Sequence, residues 1–422
     1  MGNRERRVLL SVWACSPYQG SEAAVGWARA VETARHFETW VICGLYEADV
    51  TRWIAENGEI PTLHFCFLPP TPLEVLVIQK LGLKYSGYNL WQRRAYNQAI
   101  ALHKKIDFDI LHQVNLGTFR EPGYLWKLDV PFVWGPIGGT ENYPWRFLCK
   151  AGIRGAFSEG LRNIVNNLQF HLIPRVRKAS RKANTVLTVN YDGARTFQNV
   201  YGIQPVVMQD VGTHSVTADV PSRKDRKGPL RIFCGAAFEH RKAFHLLLMA
   251  LAKMPASVSY ELRIAGKGPL QGKLHSLALE SGVATYCQWL GWVPFSEIEA
   301  QHHWADVFVF TGLRNSSNSS VIQALSLGVP VVCLDIQGVG DMVTEKCGIK
   351  IPLTNPRETI LAMRDALVSL AGDREKLGQL SQGAIERARE YLWKRKIEQT
   401  VAIYHRILTR GSPDSQSRGS LK

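Results

Sequence analysis

The chain has 422 residues, room for two cores of about 150 to 200 residues each rather than one small module. Hydrophobic residues make up 45% and charged ones 21%, a globular profile that excludes extended disorder, collagen and a coiled coil, and no apolar run nears the ~18 residues of a spanning helix. Lysine and arginine number 51 against 36 acids; the formal +15 suits polyanions, anionic lipid surfaces or phosphorylated ligands without choosing among them.

Arg4, Arg6 and Arg7 before the apolar run 8–15 loosely imitate a signal peptide. The run is short, however, Trp13 is bulky where a small residue is wanted, and a glycine-bearing loop and helical pattern follow at once, so a buried first strand fits better. From there apolar runs alternate with helical stretches, as in βαβ units and parallel sheets. Strands are expected at 8–14, 40–44, 63–68, 109–113, 132–134 and 185–189, with helices at 23–37 and 88–105 among the stretches between them. The breaker-rich, polar stretch ending at Pro229 reads as a linker, after which the alternation restarts. Strands are then expected at 230–235, 260–265, 287–290, 307–310 and 330–334, with helices at 246–253, 271–281, after Pro294 and at 319–327. A long helix is expected over 374–409, and a disordered polar tail from 411. The expected organisation is thus an N-terminal Rossmann-like domain at 1–212, a linker at 213–228, a second doubly wound domain at 229–390, a final helix at 391–410 and the tail 411–422, with ligands in a cleft at the strands' carboxyl ends. Eight cysteines without a C-x-x-C pair are expected to be reduced core thiols of a cytosolic protein.

The loop 16–22 follows the first strand and opens a helix; Gly20 permits close approach, and free N–H groups at a helix start suit a phosphate. A tight turn capped by Ser21 is the alternative. In the second half, Arg241 and Lys242 follow one strand, and Gly266, Lys267 and Gly268 the next, where cations and glycines would meet a diphosphate. The run Asn315, Ser316, Ser317, Asn318, Ser319, Ser320 precedes the helix containing Gln323 and gathers hydroxyls and amides around helix N–H donors, an anion-binding mouth or simple capping. His112 lies at the carboxyl end of a buried-looking strand, either contacting a transferred group or satisfied within the core.

Other chemistries fail on spacing. There is no G-x-G-x-x-G and no G-x-S-x-G, and the stretch from Gly268 to Lys273 is one residue short of a P-loop and carries Leu274 where Ser or Thr is needed. Asp107 and Asp109 are better read as a turn into the strand than as metal ligands, and His302 and His303, lacking partners at ligand spacing, as surface histidines; no metal site is expected.

Taken together, residues 14–22, 108–112, 131–139, 183–188, 240–242, 262–270, 305–310 and 324–332 resemble the family 4 retaining glycosyltransferases of GT-B architecture, over about Val8 to Tyr404. The resemblance implies an α/β fold of two Rossmann-like doubly wound domains facing across a cleft, and transfer of a sugar from a nucleoside diphosphate donor to a glycan or lipid-linked acceptor without a metal cofactor. It implies catalytic roles for His112 beside the sugar, Lys242 at the departing diphosphate and Arg241 assisting. It implies donor binding by Gly20, Gly266, Lys267, Asn315, Ser319, Ser320 and Gln323. It also implies that the last helix crosses back to the first domain. Two glutamates of the family's pattern fall on Asn315 and Gln323, a further histidine on Val114 and an arginine on Ala237. The alternative these departures keep open is a non-catalytic, glycosyltransferase-like binding protein.

From Arg146 to Asn184 nine cations face only Glu159, a local +8 interleaved with apolar residues. This resembles an amphipathic surface for anionic lipid, as a peripheral enzyme at the inner face of a membrane would carry; a solvated helical face is the alternative. No nucleic-acid module is recognisable.

Overall fold

The computed structural model describes residues 6–218 and 226–410. Arg4, part of the expected linker and the expected tail lie outside them.

The chain forms two compact units. The first comprises Met1–Thr140, Leu168–Asp210 and Trp393–Lys422. Its strands are β1 (Arg7–Ala14), β2 (Glu38–Leu45), β3 (Leu63–Phe67), β4 (Ile110–Asn115), β5 (Phe132–Ile137), β6 (Thr185–Thr188) and β7 (Val206–Val207). They form one parallel sheet in the order β3-β2-β1-β4-β5-β6-β7. Helices cover a parallel sheet on both faces, so its central strands must be apolar on both sides; β1 is buried from Val8 to Ala14 and β4 along its whole length. The helix Trp393–Arg410 completes this unit, with Trp393 against Val25 and Ala28, and Tyr404 edge-on to Phe37.

The second unit comprises Glu141–Asn167 and Val211–Leu392. It contains β8 (Leu230–Gly235), β9 (Tyr260–Ala265), β10 (Cys287–Gly291), β11 (Val307–Phe310), β12 (Val331–Leu334) and β13 (Gly348–Ile351). Their order, β10-β9-β8-β11-β12-β13, repeats that of the first sheet, and every pairing is parallel. In each sheet the strand order reverses once, between β1 and β4 and between β8 and β11; loops leaving the carboxyl ends there diverge and open a crevice.

Three expectations change. Residues 141–167, placed in a continuous first domain by sequence, group with the second unit because Tyr143 and Phe147 are buried in its core. The long helix expected over 374–409 is two, Arg374–Arg389 and Trp393–Arg410, parted where the Tyr391 carbonyl accepts from Thr213 N. All eight cysteines are free, but Cys149 is exposed and Cys66 and Cys287 half-buried, so they are not uniformly core thiols. Among the described residues no helix is long and apolar enough to cross a membrane.

Candidate functional site

At the reversal point of the second sheet, a one-turn helix (His240–Lys242) follows β8 and a loop over 311–318 follows β11. Lys242 is buried, and its Nζ donates to Asn315 Oδ1 at 2.7 Å while lying 4.8 Å from the Phe310 ring centre. Burial, Arg241 and Arg314 pull the lysine down to about 7, with Glu239 opposing. The neighbouring carboxylates are already engaged: Glu239 pairs with Arg241 at 2.7 Å, and Glu159 holds Arg314 through two bonds of 2.9 and 3.0 Å. Lys242 is therefore the cation of this trio matched to a neutral amide, the condition under which an incoming anion gains most. Asn315 Nδ2 is buried and has no hydrogen-bond partner among the described residues.

The loop is fixed from three sides. Asn315 N donates to Gln337 Oε1, Ser316 Oγ to Glu141 Oε2, and Thr311 Oγ1 to the Lys242 carbonyl, all at 2.7 to 2.8 Å. The helix Gly152–Leu172 approaches the same place: a Cβ on Gly155 would lie 2.5 Å from His240 Nδ1, so only glycine admits this contact. Glycine at 266 has a comparable cause. With φ near 147°, a Cβ there would sit 2.0 Å from the Ala236 carbonyl oxygen, and the loop after β9 closes onto that after β8 through Phe238 N to the Lys267 carbonyl. Lys267 itself is exposed.

Of the residues selected from sequence, the structure brings Lys242 and Asn315 into direct contact and sets Arg241, Gly266 and Lys267 on loops joined to theirs. Ser319, Ser320 and Gln323 begin the helix Ser319–Ser326, exposed or half-buried. Its cap is Asn318, whose Oδ1 accepts from Ser320 N and Val321 N; those two amides are thus occupied rather than open to an anion. Arg314 and Glu159 were not selected, although a single acid in a run of nine cations signals a dedicated ion pair.

In the first unit, Gly20 lies in a loop tied to Ser16, whose Oγ accepts from Tyr18 N and Gln19 N and donates to Asp49. A Cβ at Gly20 would meet nothing within 4 Å, and Ser21, the residue before the helix Glu22–Ala34, makes no side-chain cap bond, so the alternative of a Ser21-capped turn does not hold. Asn115 ties the reversal point together, accepting from Trp13 N at 2.7 Å and donating to the Glu22 carbonyl at 3.0 Å. Glu22, half-buried beside it, is pushed up to about 7 by burial and by Asp210, with the Gly117 backbone opposing.

His112 requires a correction. β4 runs on to Asn115, which places the histidine inside the strand rather than at its carboxyl end. It is fully buried, with Nε2 2.7 Å from the Gly135 carbonyl and Nδ1 2.5 Å from the Tyr404 hydroxyl. A carbonyl only accepts, so Nε2 carries the proton and Nδ1 receives the tyrosine's. Burial, chiefly, and the nearby Arg29 lower it to about 3. Both nitrogens are spent on the fold, and the ring is a strut rather than a group facing a ligand. Arg29 beneath it is also buried, with Nε and Nη1 unpartnered among the described residues. His302, expected on the surface, is buried instead between Phe233 and Phe308, while His303 is exposed beside Glu299. Asp109 accepts from Arg7 N and Arg6, the turn into β4.

The helix Gly152–Leu172 buries Glu159, Asn163 and Asn166 with Gly155 and Phe170, and exposes Ile153, Phe157, Leu161, Ile164, Leu168 and Leu172. Asn163 accepts from Tyr143 N and donates to its carbonyl, while Asn166 donates to Asn142. The face turned outward is the apolar one: Ile153 is 92% exposed and Phe157 73%.

Residues 228–371 match the family described as glycosyl transferases group 1. Over 190 residues the chain is 27% identical to the phosphatidyl-myo-inositol mannosyltransferase of Mycobacterium leprae, covering 44% of this chain and 49% of the relative. Over 148 residues it is 27% identical to the lipopolysaccharide core biosynthesis glycosyltransferase LpsE of Rhizobium meliloti, covering 34% and 38%. Each match spans less than half of the relative's length. Among solved structures, the chain is similar to sucrose-phosphate synthase from Thermosynechococcus elongatus, with a TM-score of 0.62 at 13% identity over 96% of this chain and 100% of that one. It is also similar to Anabaena HepE in complex with UDP and glucose, with a TM-score of 0.60 at 14% identity over 94% and 99%. At such identities the likeness shows the fold, two Rossmann-like α/β units.

Proposed function

We propose that the chain, whose residues 228–371 match the family described as glycosyl transferases group 1, transfers a sugar, with retention, from a nucleoside diphosphate donor to a lipid-linked or glycan acceptor in polysaccharide or glycolipid assembly. The observation that carries this reading is Lys242: a buried lysine at the sheet's reversal point, held by an amide and flanked by cations whose carboxylates are already paired. Departure of a diphosphate demands positive potential where negative charge develops. Lys242 supplies it, Arg241 is next in reach, and neutral Asn315 and Gln323 hydrogen-bond hydroxyls of ribose or sugar. In the loops around them, Gly266 and Lys267 border the same crevice, and Ser319 and Ser320 offer hydroxyls at a helix start. The reading needs no metal. In the first unit Gly20 leaves open space at a helix start, and His112 serves by stiffening β4.

The outward apolar stripe of the Gly152–Leu172 helix, within a segment of local +8, supports a peripheral enzyme at the cytoplasmic face of an anionic membrane. Calorimetric titration with UDP, GDP and their sugars tests the donor site. Binding in the micromolar range that Lys242→Ala abolishes is expected, and absence of binding at millimolar ligand would overturn the reading. The amides at 315 and 323 favour a second reading, nucleotide binding without turnover. Transfer or hydrolysis of the bound donor would reject it.

A further inference from the structure

A second apolar surface lies in the first unit, well before the basic segment in the chain. After β3 the chain makes one α-helical turn (Pro72–Val75) and a π-helical turn (Leu76–Lys80) before the helix Lys84–Ile106. Leu73, Leu76, Leu81, Leu83 and Tyr85 are all exposed here, Leu73 and Leu81 by about three-fifths. The segment is nevertheless held firmly: Leu81 N donates to the Leu76 carbonyl and Leu83 N to that of Val77, and Ile78 is packed so closely on Gly87 that a Cβ there would be 2.4 Å away. Its apolar face is therefore a fixed feature of the surface.

The charge on this ledge has one sign. Glu74 is the single acid between 72 and 85, and it is buried, closing a capping box on Thr71 and paired with Arg94 at 2.8 Å. The cations Lys80 and Lys84 are exposed. Arg120 extends the surface, lying 5.6 Å from the Tyr85 ring and donating to Gln169 at 2.6 Å, between exposed Leu168 and Leu172. Glu121, beside it, is buried in a pair with Arg175. Apolar side chains fringed by cations, with each nearby acid buried and paired, complement an anionic bilayer.

We propose that the 72–85 ledge is a bilayer-contact surface of the first unit, with Leu81 and Leu83 entering the acyl boundary of anionic lipid and Lys80 and Lys84 at headgroup level. This rests on the membrane reading above and adds to it a contact beyond the basic helix, whose C-terminal end Arg120 joins to the ledge. The test is co-sedimentation of the full chain with phosphatidylcholine vesicles, with and without phosphatidylglycerol. The chain should partition onto the anionic vesicles. L81E/L83E should reduce that partition about tenfold or more with an unchanged melting midpoint, since both leucines already face solvent. K80A/K84A should weaken binding to anionic vesicles only. Should the wild-type chain ignore vesicles, or bind neutral ones equally well, the membrane reading falls together with the ledge. Release by I153E/F157E but not by L81E/L83E would overturn the ledge alone. So would a dimer that L81E/L83E dissolves while vesicle binding persists, since the ledge would then be a contact between two copies.

Discussion

Lys242 is expected to take up a proton when a nucleoside diphosphate binds. Its fall from 10.5 to about 7 corresponds to about 5 kcal/mol between charged and neutral forms. The groups facing it are Arg241 and Glu239 on its own turn, and Arg314 and Asn315 from the loop after β11; burial, Arg241 and Arg314 lower it, while Glu239, itself engaged with Arg241, and the Asn315 oxygen favour the charged form. At pH 7 the amine is thus about half protonated and at pH 8 about one-tenth. Diphosphate oxygens at hydrogen-bond distance would restore the full charge, so uptake should be about 0.5 proton at pH 7 and about 0.9 at pH 8, with affinity falling toward tenfold per pH unit above 7. Calorimetry of UDP binding in two buffers of different ionisation enthalpy measures this directly. Values near pH 8 are the cleaner ones, because the terminal phosphate itself titrates near pH 6. Asn315→Asp places a carboxylate where the amide now stands and should abolish the uptake while weakening UDP binding about tenfold, the built-in anion competing with the ligand. Intact UDP binding by the wild-type chain at pH 8 without proton uptake would refute the reasoning.

Three further outcomes follow from buried charge. Glu159→Gln should destabilise the second unit by about 3 kcal/mol, because it strands Arg314 in a largely buried place; denaturant unfolding of Glu159→Gln, Arg314→Leu and the double variant should show coupling, and additivity would contradict the ion pair. Lys396, buried and lowered to about 7 by burial and Arg29 against Asp210, is charged in the unfolded chain up to about 10.5. Since the unfolded state then binds more protons, stability should rise with pH above 7, and Lys396→Met should remove about 1 kcal/mol per pH unit of that slope between pH 7 and 8.5. His112, near 3 when folded and about 6.5 when unfolded, should cost stability as pH falls from 6.5; His112→Gln should flatten this acid limb in thermal melts, and no inflection of activity between pH 5 and 8 should be traceable to it.

Much of the fold was legible because parallel strands buried on both faces read as unbroken apolar runs: 230–235 and 260–265 coincide with β8 and β9, and 307–310 with β11. β7 and β13 carry no such signal, β7 because its two valines are too short a run and β13 because a glycine and a lysine interrupt its four residues. The candidate site was legible residue by residue but not as a constellation. Lys242 and Asn315 are 73 positions apart, and only the strand order that sets β8 beside β11 makes them neighbours. His112 was misplaced because apolarity faltered at Gln113 although the strand continued to Asn115, and its partner Tyr404 is 292 positions away. His302 shows the same limit, since a polar residue on a helix gives no sign that two phenylalanines will enclose it.

The orientation of the Gly152–Leu172 helix can be weighed against its reverse. Turning Ile153, Phe157, Leu161 and Ile164 inward would gain about 2 kcal/mol for each side chain removed from water, roughly 8 in all. The same rotation would break the Glu159–Arg314 pair at about 3 to 5 kcal/mol, and strand Asn163 and Asn166 with their partners at about 1 to 3 each. The two sums are comparable, so water alone offers little reason to leave Ile153 and Phe157 almost wholly exposed. On the membrane reading proposed above, an apolar medium outside the helix would remove the conflict: the stripe would be withdrawn from water while Glu159, Asn163 and Asn166 keep their bonds to Arg314, Tyr143 and Asn142. The polar inner face is what makes a lipid-facing outer one consistent with a stable fold, and it does so through the pair that also fixes the loop carrying Asn315.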